Sequence, residues 1–232
     1  MKQRIVALLP MKAHSERVKG KNFRDFCGKP LFRWMLDSLL EVREIERVVI
    51  NTDARNILAQ NGLTDAARVT IRDRKPELCG DLVSMNLVLA DDVENIDADI
   101  YLMTHTTNPL MSAETVRGAL RAFVDAQAAG KADSLFTVDK VQTRFYRADG
   151  SAVNHDPDNL IRTQDLEPWF EENSNLYIFT RESFSRTRAR IGRKPMMYEG
   201  PPFESIDIDT PHDWDFAVVA ARYMLEQKGG AR

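Results

Sequence analysis

The chain has 232 residues, of which 43% are hydrophobic and 29% charged, with a net charge of −3. That length can bury one full core, and the mildly acidic balance argues against a general nucleic-acid binder. No apolar run approaches the roughly 18 residues needed to span a bilayer.

The first apolar run, "RIVALLP", is too short for a signal segment with a cleavage site. Two cysteines, Cys27 and Cys79, make neither a metal spacing nor a disulfide framework. A cytoplasmic location is the expectation.

Residues 4–9, "RIVALL", read as a strand covered on both faces. Leu31, Trp34, Met35, Leu39 and Val42 then recur at helical spacing, with Arg33, Asp37 and Glu41 outside and Pro30 suited to the first turn. Further strands are expected over 47–53, 67–72, 98–106 and 133–141. Helices are expected over 54–62, 83–93 and 112–127, the last with Ser112 as its N-cap. Strands alternating with helices at this pitch predict an α/β fold with a mostly parallel sheet.

After Val141 the alternation stops. Residues 142–173 are polar but carry Phe145, Tyr146, Leu160, Ile161, Leu166, Trp169 and Phe170. A structureless loop of that length does not suit a compact domain, so these side chains are expected to pack on the domain edge or on a second subunit. Residues 174–180 return as a strand, and 210–227 form a closing amphipathic helix with Thr210 as N-cap.

In an open α/β sheet, ligands bind at the carboxyl ends of the strands. The positions to inspect are therefore those after Leu9, Ile50, Met103 and Ile178. The first is followed by "PMKAHSERVKGKN" (10–22), which is neither a dinucleotide fingerprint nor a Walker A loop. Lys12, Arg17, Lys19 and Lys21 surround Ser15 and Gly20, a combination able to wrap a polyphosphate with cations and backbone N–H groups. A solvated basic loop is the plainer reading. The second cluster is "FESIDIDTPHDWD" (203–215). Alternation there puts Asp207 and Asp209 on one face of a short strand. Two carboxylates so close repel unless a cation lies between them, and all-oxygen ligands favour Mg²⁺. A polar edge strand is the alternative.

Taken in order, "LLPMKAHSERVKGKN", "GKPLFRW", "VVINTDA", "RKPELCGD", "MTHTTNPL", "RTQDLEPWFEENSNLYIF" and "ESIDIDTPHD" resemble the blocks of the acylneuraminate cytidylyltransferases, relatives of the CMP-Kdo synthetases. The resemblance runs from residue 5 to about 220. It implies a Rossmann-like, three-layer nucleotidyltransferase domain over 1–232, with 142–173 as a dimerisation and sugar-site arm of a homodimer. It implies CTP bound by Lys12, Ser15, Lys21, Asn22, Arg74, Gly80 and Asp81, and Mg²⁺ held by Asp207 and Asp209. Lys21 would meet the α-phosphate and, with the two aspartates, form the catalytic set. His105, Arg162, Gln164 and Asn173 fall at the sugar; for His105 a plain strand-end hydrogen bond is the alternative role. The implied reaction joins CMP from CTP to the anomeric hydroxyl of a 2-keto-3-deoxy acid sugar and releases pyrophosphate. Two family arginines are replaced, by Lys12 and Thr163. The rival readings are an enzyme for Kdo or for a legionaminic or pseudaminic acid, and a nucleotide-binding protein without turnover.

Overall fold

The computed structural model describes residues 3–229. In chain order its elements are β1 (Ile5–Leu8), a hairpin of β2 (Asp25–Phe26) and β3 (Lys29–Pro30), α1 (Leu31–Glu41), β4 (Arg47–Thr52), α2 (Arg55–Gln60), β5 (Val69–Asp73), α3 (Met85–Asn95), β6 (Ile100–Thr104), α4 (Ala113–Ala128), β7 (Ser134–Val141), β8 (Trp169–Thr180), α5 (Arg181–Thr187), β9 (Pro195–Glu199) and α6 (Pro211–Gly229). Seven strands form one sheet in the order β5-β4-β1-β6-β8-β7-β9. All neighbours pair parallel except β8, which runs antiparallel to both β6 and β7.

The continuous apolar runs of the central strands follow from burial on both faces. In β1, Ile5 and Ala7 pack into one cluster with Phe32, Met35 and Leu36 of α1 and Val116, Leu120 and Phe123 of α4. Val6 and Leu8 point the other way, into a cluster with Leu89 and Val93 of α3 and Phe184 of α5. The alternation repeats in β4, β6 and β8, giving three layers. A third cluster seats α6: Trp214, Ala217, Ala220 and Ala221 close over Val18, Phe26, Leu31, Leu110 and Ile208.

Several expectations are corrected in detail. β8 begins at Trp169 rather than 174, because residues 169–172 pair with the end of β7, from Val141↔Trp169 to Val138↔Glu172. α5 and β9 break no apolar periodicity and were not anticipated; β9 is an edge strand held by its register with β7. Residues 205–209 are not a strand: a short 3₁₀ turn over Pro202–Ser205 is followed by extended chain. Pro30 stands at the N-cap of α1 rather than inside its first turn. Because β8 is antiparallel, its carboxyl end lies where β6 begins (Ile100↔Thr180), so the position after Ile178 falls away from the site, and it is the amino half of β8 that supplies Ser174 to the side where β1, β4 and β6 end.

The segment 142–168 is ordered. Gln142 Nε2 donates to the Leu166 carbonyl at 2.7 Å, Arg144 to the Ile161 carbonyl at 2.5 Å, and Phe145 stacks on Trp169 with centroids 5.1 Å apart. Tyr146, Leu160, Ile161, Trp169 and Phe170 nonetheless remain exposed.

Candidate active site

The basic loop after β1 is held by backbone bonds before any side chain acts. Leu9 N–H donates to Val49 O and Met11 N–H to Asn51 O, so the chain keeps its place beside β4 as it leaves the sheet. Asp53 Oδ1 accepts from Ala13 N–H at 2.7 Å. Gly20, at φ 64, takes the left-handed turn that starts the 3₁₀ turn Lys21–Phe23. That turn drives Lys21 and Asn22 inward, where both are buried. Asn22 then closes the loop: its Nδ2 donates to Lys12 O at 2.8 Å, and its Oδ1 accepts from Thr106 Oγ1 at 2.7 Å.

The paired aspartates face the same way without a strand. Between them, Ile208 is fully buried, its N–H donating to Thr107 O at 2.9 Å and its carbonyl accepting from Lys21 Nζ. Asp213 fixes the next turn: its Oδ2 accepts from Asp209 N–H, Thr210 N–H and Thr210 Oγ1, while Thr210 Oγ1 accepts from Asp213 N–H. This is a capping box at the start of α6, with Pro211 at the first helical position. The N-cap expected at Thr210 is therefore what aims Asp209.

Loop, β6 end and aspartates surround a cavity of about 620 Å³. Lys12, Ser15, Lys21, Asn22, Arg74, Asp81, His105, Asp207 and Asp209 all line it. Gly80, at φ 115, precedes Asp81 at the rim. Three expected sugar residues lie elsewhere in the chain's own fold. Arg162 is on the exposed arm, its guanidinium paired with Asp165 at 2.7 and 3.0 Å; Gln164 is exposed beside it. Asn173 faces a separate small recess, its Oδ1 accepting from Thr137 Oγ1 at 2.7 Å. Arg17, Ser174 and Met85 also line the cavity, and of these only Arg17 had a signal in the sequence, its charge.

Charge is concentrated but partly self-neutralised. Lys12 Nζ lies 2.5 Å from Asp81 Oδ1, a bond that holds the Asp81 carboxyl below its usual range. Arg17 reaches Asp209 Oδ1 at 2.9 Å and Lys21 the same oxygen at 3.6 Å. Burial pulls the Lys21 ammonium down, opposed by Asp209 and Asp207. Arg74 is buried under the loop, donating to Asn51 Oδ1, Asn51 O and Met11 O, and Asn51 Nδ2 donates in turn to Asp92 at 2.8 Å. Burial, then the charges of Arg190 and Lys21, hold His105 at about 4, so its imidazole is neutral at physiological pH.

Asp207 is the incompletely satisfied carboxylate of the cavity. Its Oδ1 is buried with no hydrogen-bond partner among the described residues, and burial, with Asp209 adding to it, raises its pKa. An acceptor left bare beside a second carboxylate suits a hard cation. No group of three or more His, Cys, Asp or Glu positioned for a metal occurs among the described residues. Two carboxylates are a sufficient protein share for Mg²⁺, whose other ligands are commonly water and substrate phosphates.

The Cytidylyltransferase family model matches residues 6–218. Over 224 residues the chain is 29% identical to the CMP-N,N'-diacetyllegionaminic acid synthase of Legionella pneumophila, covering 91% of this chain and 93% of that one. It is 26% identical over 222 residues to the N-acylneuraminate cytidylyltransferase of Oncorhynchus mykiss, covering 93% of this chain and spanning half the length of that relative. Among solved structures, a CMP:2-keto-3-deoxy-manno-octonic acid synthetase complexed with CTP superposes with a TM-score of 0.65 at 17% identity, covering 96% of this chain and 99% of that one.

Proposed function

The chain belongs to the cytidylyltransferase family, and from that premise we propose that it transfers CMP from CTP to the anomeric hydroxyl of a nonulosonate, a sialic-acid-like 2-keto-3-deoxy acid sugar. One observation carries the reading: the cations of the basic loop and the Asp207–Asp209 pair, 186 or more residues apart in sequence, line one cavity at the carboxyl ends of the parallel strands. The relatives named above as legionaminic acid and acylneuraminate enzymes support the choice of acceptor.

In this reading the sugar hydroxyl oxygen forms a bond to the α-phosphorus and gives up its proton to solvent, the bond from that phosphorus to the β-phosphate bridging oxygen breaks, and pyrophosphate leaves in line. Most of the rate enhancement is positioning and electrostatics. Lys21 is the group for the α-phosphate: buried, desolvated and oriented by Ile208 O, it presents charge where negative charge grows. Lys12 and Arg17 cover the outer phosphates, exchanging Asp81 and Asp209 for substrate oxygens. Arg74 and Asp81 lie on the cytosine side, with Asn22 positioning the loop rather than offering a free amide. Asp207 and Asp209 would hold Mg²⁺, which when bound supplies charge neutralisation on the phosphates.

We also assign the enzyme to the cytoplasm, in keeping with two unpaired cysteines, and to a homodimer formed through the arm. No helix among the described residues is long and apolar enough to cross a membrane. The test of function is pyrophosphate release from CTP with a panel of acid sugars: N-acetylneuraminate, legionaminate and pseudaminate derivatives, and Kdo. Turnover with a nonulosonate is expected. Preference for Kdo moves the acceptor to the eight-carbon acid, and release with none of them overturns the reading.

A further inference from the structure

Arg190 lies between α5 and β9, outside the nucleotide machinery. Its backbone N–H donates to Asn86 Oδ1 at 3.3 Å, tying the segment to α3. Its guanidinium carbon is 4.0 Å from the centroid of the Tyr177 ring, a stacked pose that fixes the plane of the fork. The side chain is only 23% exposed. Even so, its guanidinium makes no hydrogen bond among the described residues. The nearest carboxylate oxygen, Glu172 Oε1, stands 3.7 Å away and already accepts from the Tyr177 hydroxyl. A guanidinium seated on a ring, with its donors open to the solvent-facing recess and unused by the described residues, is positioned to take oxygens of a ligand.

The space beside it suits one. A recess of about 320 Å³ is lined by Met85, Asn86, Glu172, Arg190 and Ile191. Met85 also lines the nucleotide cavity, so the two spaces adjoin across that side chain. The charge of Arg190 is felt inside the cavity as well, for it ranks next to burial in depressing the His105 pKa. The cations that line the nucleotide cavity have closer acceptors than Arg190 does: Lys12 at Asp81, Lys21 at Ile208 O and Arg17 at Asp209.

We infer that Arg190 is the residue that takes the carboxylate of the acceptor sugar, its planar fork meeting both oxygens from the seat on Tyr177. The inference rests on the acid-sugar reading above. Glu172 sharpens the selectivity: its charge beside the fork disfavours a phosphate dianion, while its free oxygen accepts from a sugar hydroxyl. The recess thus fits a monoanion flanked by hydroxyl groups, which is the chemistry of a sugar acid.

Arg190→Met keeps the side-chain length and the contact with Tyr177 but removes the charge and the donors. With the best acceptor of the panel, its KM for the sugar should rise ~10- to 100-fold, while the KM for CTP moves less than ~2-fold. An acceptor analogue carrying a primary amide in place of the carboxylate should be disfavoured by a similar factor in the wild type and not by Arg190→Met. Arg190→Lys, which keeps the charge and loses the fork, should fall between them and carries the test if Arg190→Met proves unstable. An unchanged sugar KM in both variants, or an unchanged preference for acid over amide, overturns the role of Arg190 alone. A wild-type enzyme with no turnover on any acid sugar fails at the acceptor reading, and this proposal falls with it.

Discussion

The two halves of the sheet treat their charges differently. On the parallel side, β5-β4-β1-β6, the buried polar groups are tied into one network, Arg72 with Asp91 and Asp92, Asn51 with Asp92 and Arg74 with Asn51, which leaves only Asp92 Oδ2 without a partner among the described residues. On the side of β8-β7-β9 and the arm, Arg190 has no hydrogen-bonded acceptor among the described residues, and Tyr146, Val153, Leu160, Ile161, Trp169, Phe170 and Met197 stand exposed. Asp207 sits at the seam with a bare buried oxygen. A satisfied network fixes a site before substrate arrives, whereas unsatisfied groups mark where something from outside must bind. The parallel half is the more fully tied scaffold; the other half leaves more for its ligands to complete.

The seam offers the hardest test of that contrast. Asp207→Asn and Asp209→Asn should each lower kcat by orders of magnitude in Mg²⁺, and the wild type should lose activity in EDTA. Stability should separate the two roles. Asp207 costs stability by burying an unpaired charge, so Asp207→Asn should melt at or above the wild-type temperature. A scaffold role would show the reverse, with activity kept and melting temperature lost. Full turnover of either variant, read by pyrophosphate release, would remove the pair from the mechanism.

The next effect lies in the scaffold half. Lys21→Ala should cut kcat by about 10²- to 10³-fold with a smaller change in the KM for CTP, because the contact tightens as charge develops. Lys12→Arg should be tolerated: Lys12 is half exposed and its partner Asp81 accepts a guanidinium equally well. A Lys21→Ala enzyme with unchanged kcat would reduce the loop to simple ground-state binding.

The same division governs what the amino-acid pattern reveals. Elements built on local signals are visible in it: the apolar run of β1, the helical spacing of α1, the Ser112 cap of α4, where Oγ accepts from Thr115 N–H at 3.2 Å. The basic loop and the D-x-D pair were legible too, since each is a compact cluster of charge. What was hidden depends on distant partners. β9, "PMMYE", is half exposed and owes its place to a ladder with β7, some sixty residues earlier. The bond from Lys21 to Ile208 O, which spans 187 residues, replaces the strand expected at 205–209. Arg190 carried no pattern at all, because its meaning comes from the ring of Tyr177 beneath it. Asn173 was placed at the sugar by resemblance, yet within one chain it faces Thr137.

A third test addresses the exposed arm. Leu160 and Ile161 are 61% and 45% exposed, and in a homodimer packed through the arm they become interface. Leu160→Asp with Ile161→Asp should weaken dimerisation by about 10- to 100-fold, from the lost apolar burial and the added charge. Light scattering over a concentration series measures it. A wild type that is monomeric at micromolar concentration with full activity would contradict the arm's assignment.

The smallest effect concerns two titrations that pull in opposite directions. His105 is held at about 4 against an ordinary 6.5, chiefly by burial. A base whose pKa is depressed by folding contributes stability above its unfolded value and loses it as pH falls toward the folded value. Between pH 8 and pH 5 the loss is about 2 kcal/mol. Asp92, in the paired half, is raised by burial from 3.8 to about 6 despite Asn51 and Arg72. A carboxyl raised by folding contributes stability at low pH and loses it as pH rises through the folded value, so over the same range acidification returns about 1 kcal/mol. The net acid sensitivity is a difference, and single variants expose its parts. In the ligand-free enzyme, His105→Gln should shrink or reverse the drop in unfolding free energy between pH 8 and pH 5, while Asp92→Asn should widen it, whatever either does to stability at pH 8. Denaturant unfolding at the two pH values gives both slopes. If the His105→Gln drop matches that of the wild type, the histidine titrates as an ordinary surface group, and the cavity wall around it is wetter than its burial implies.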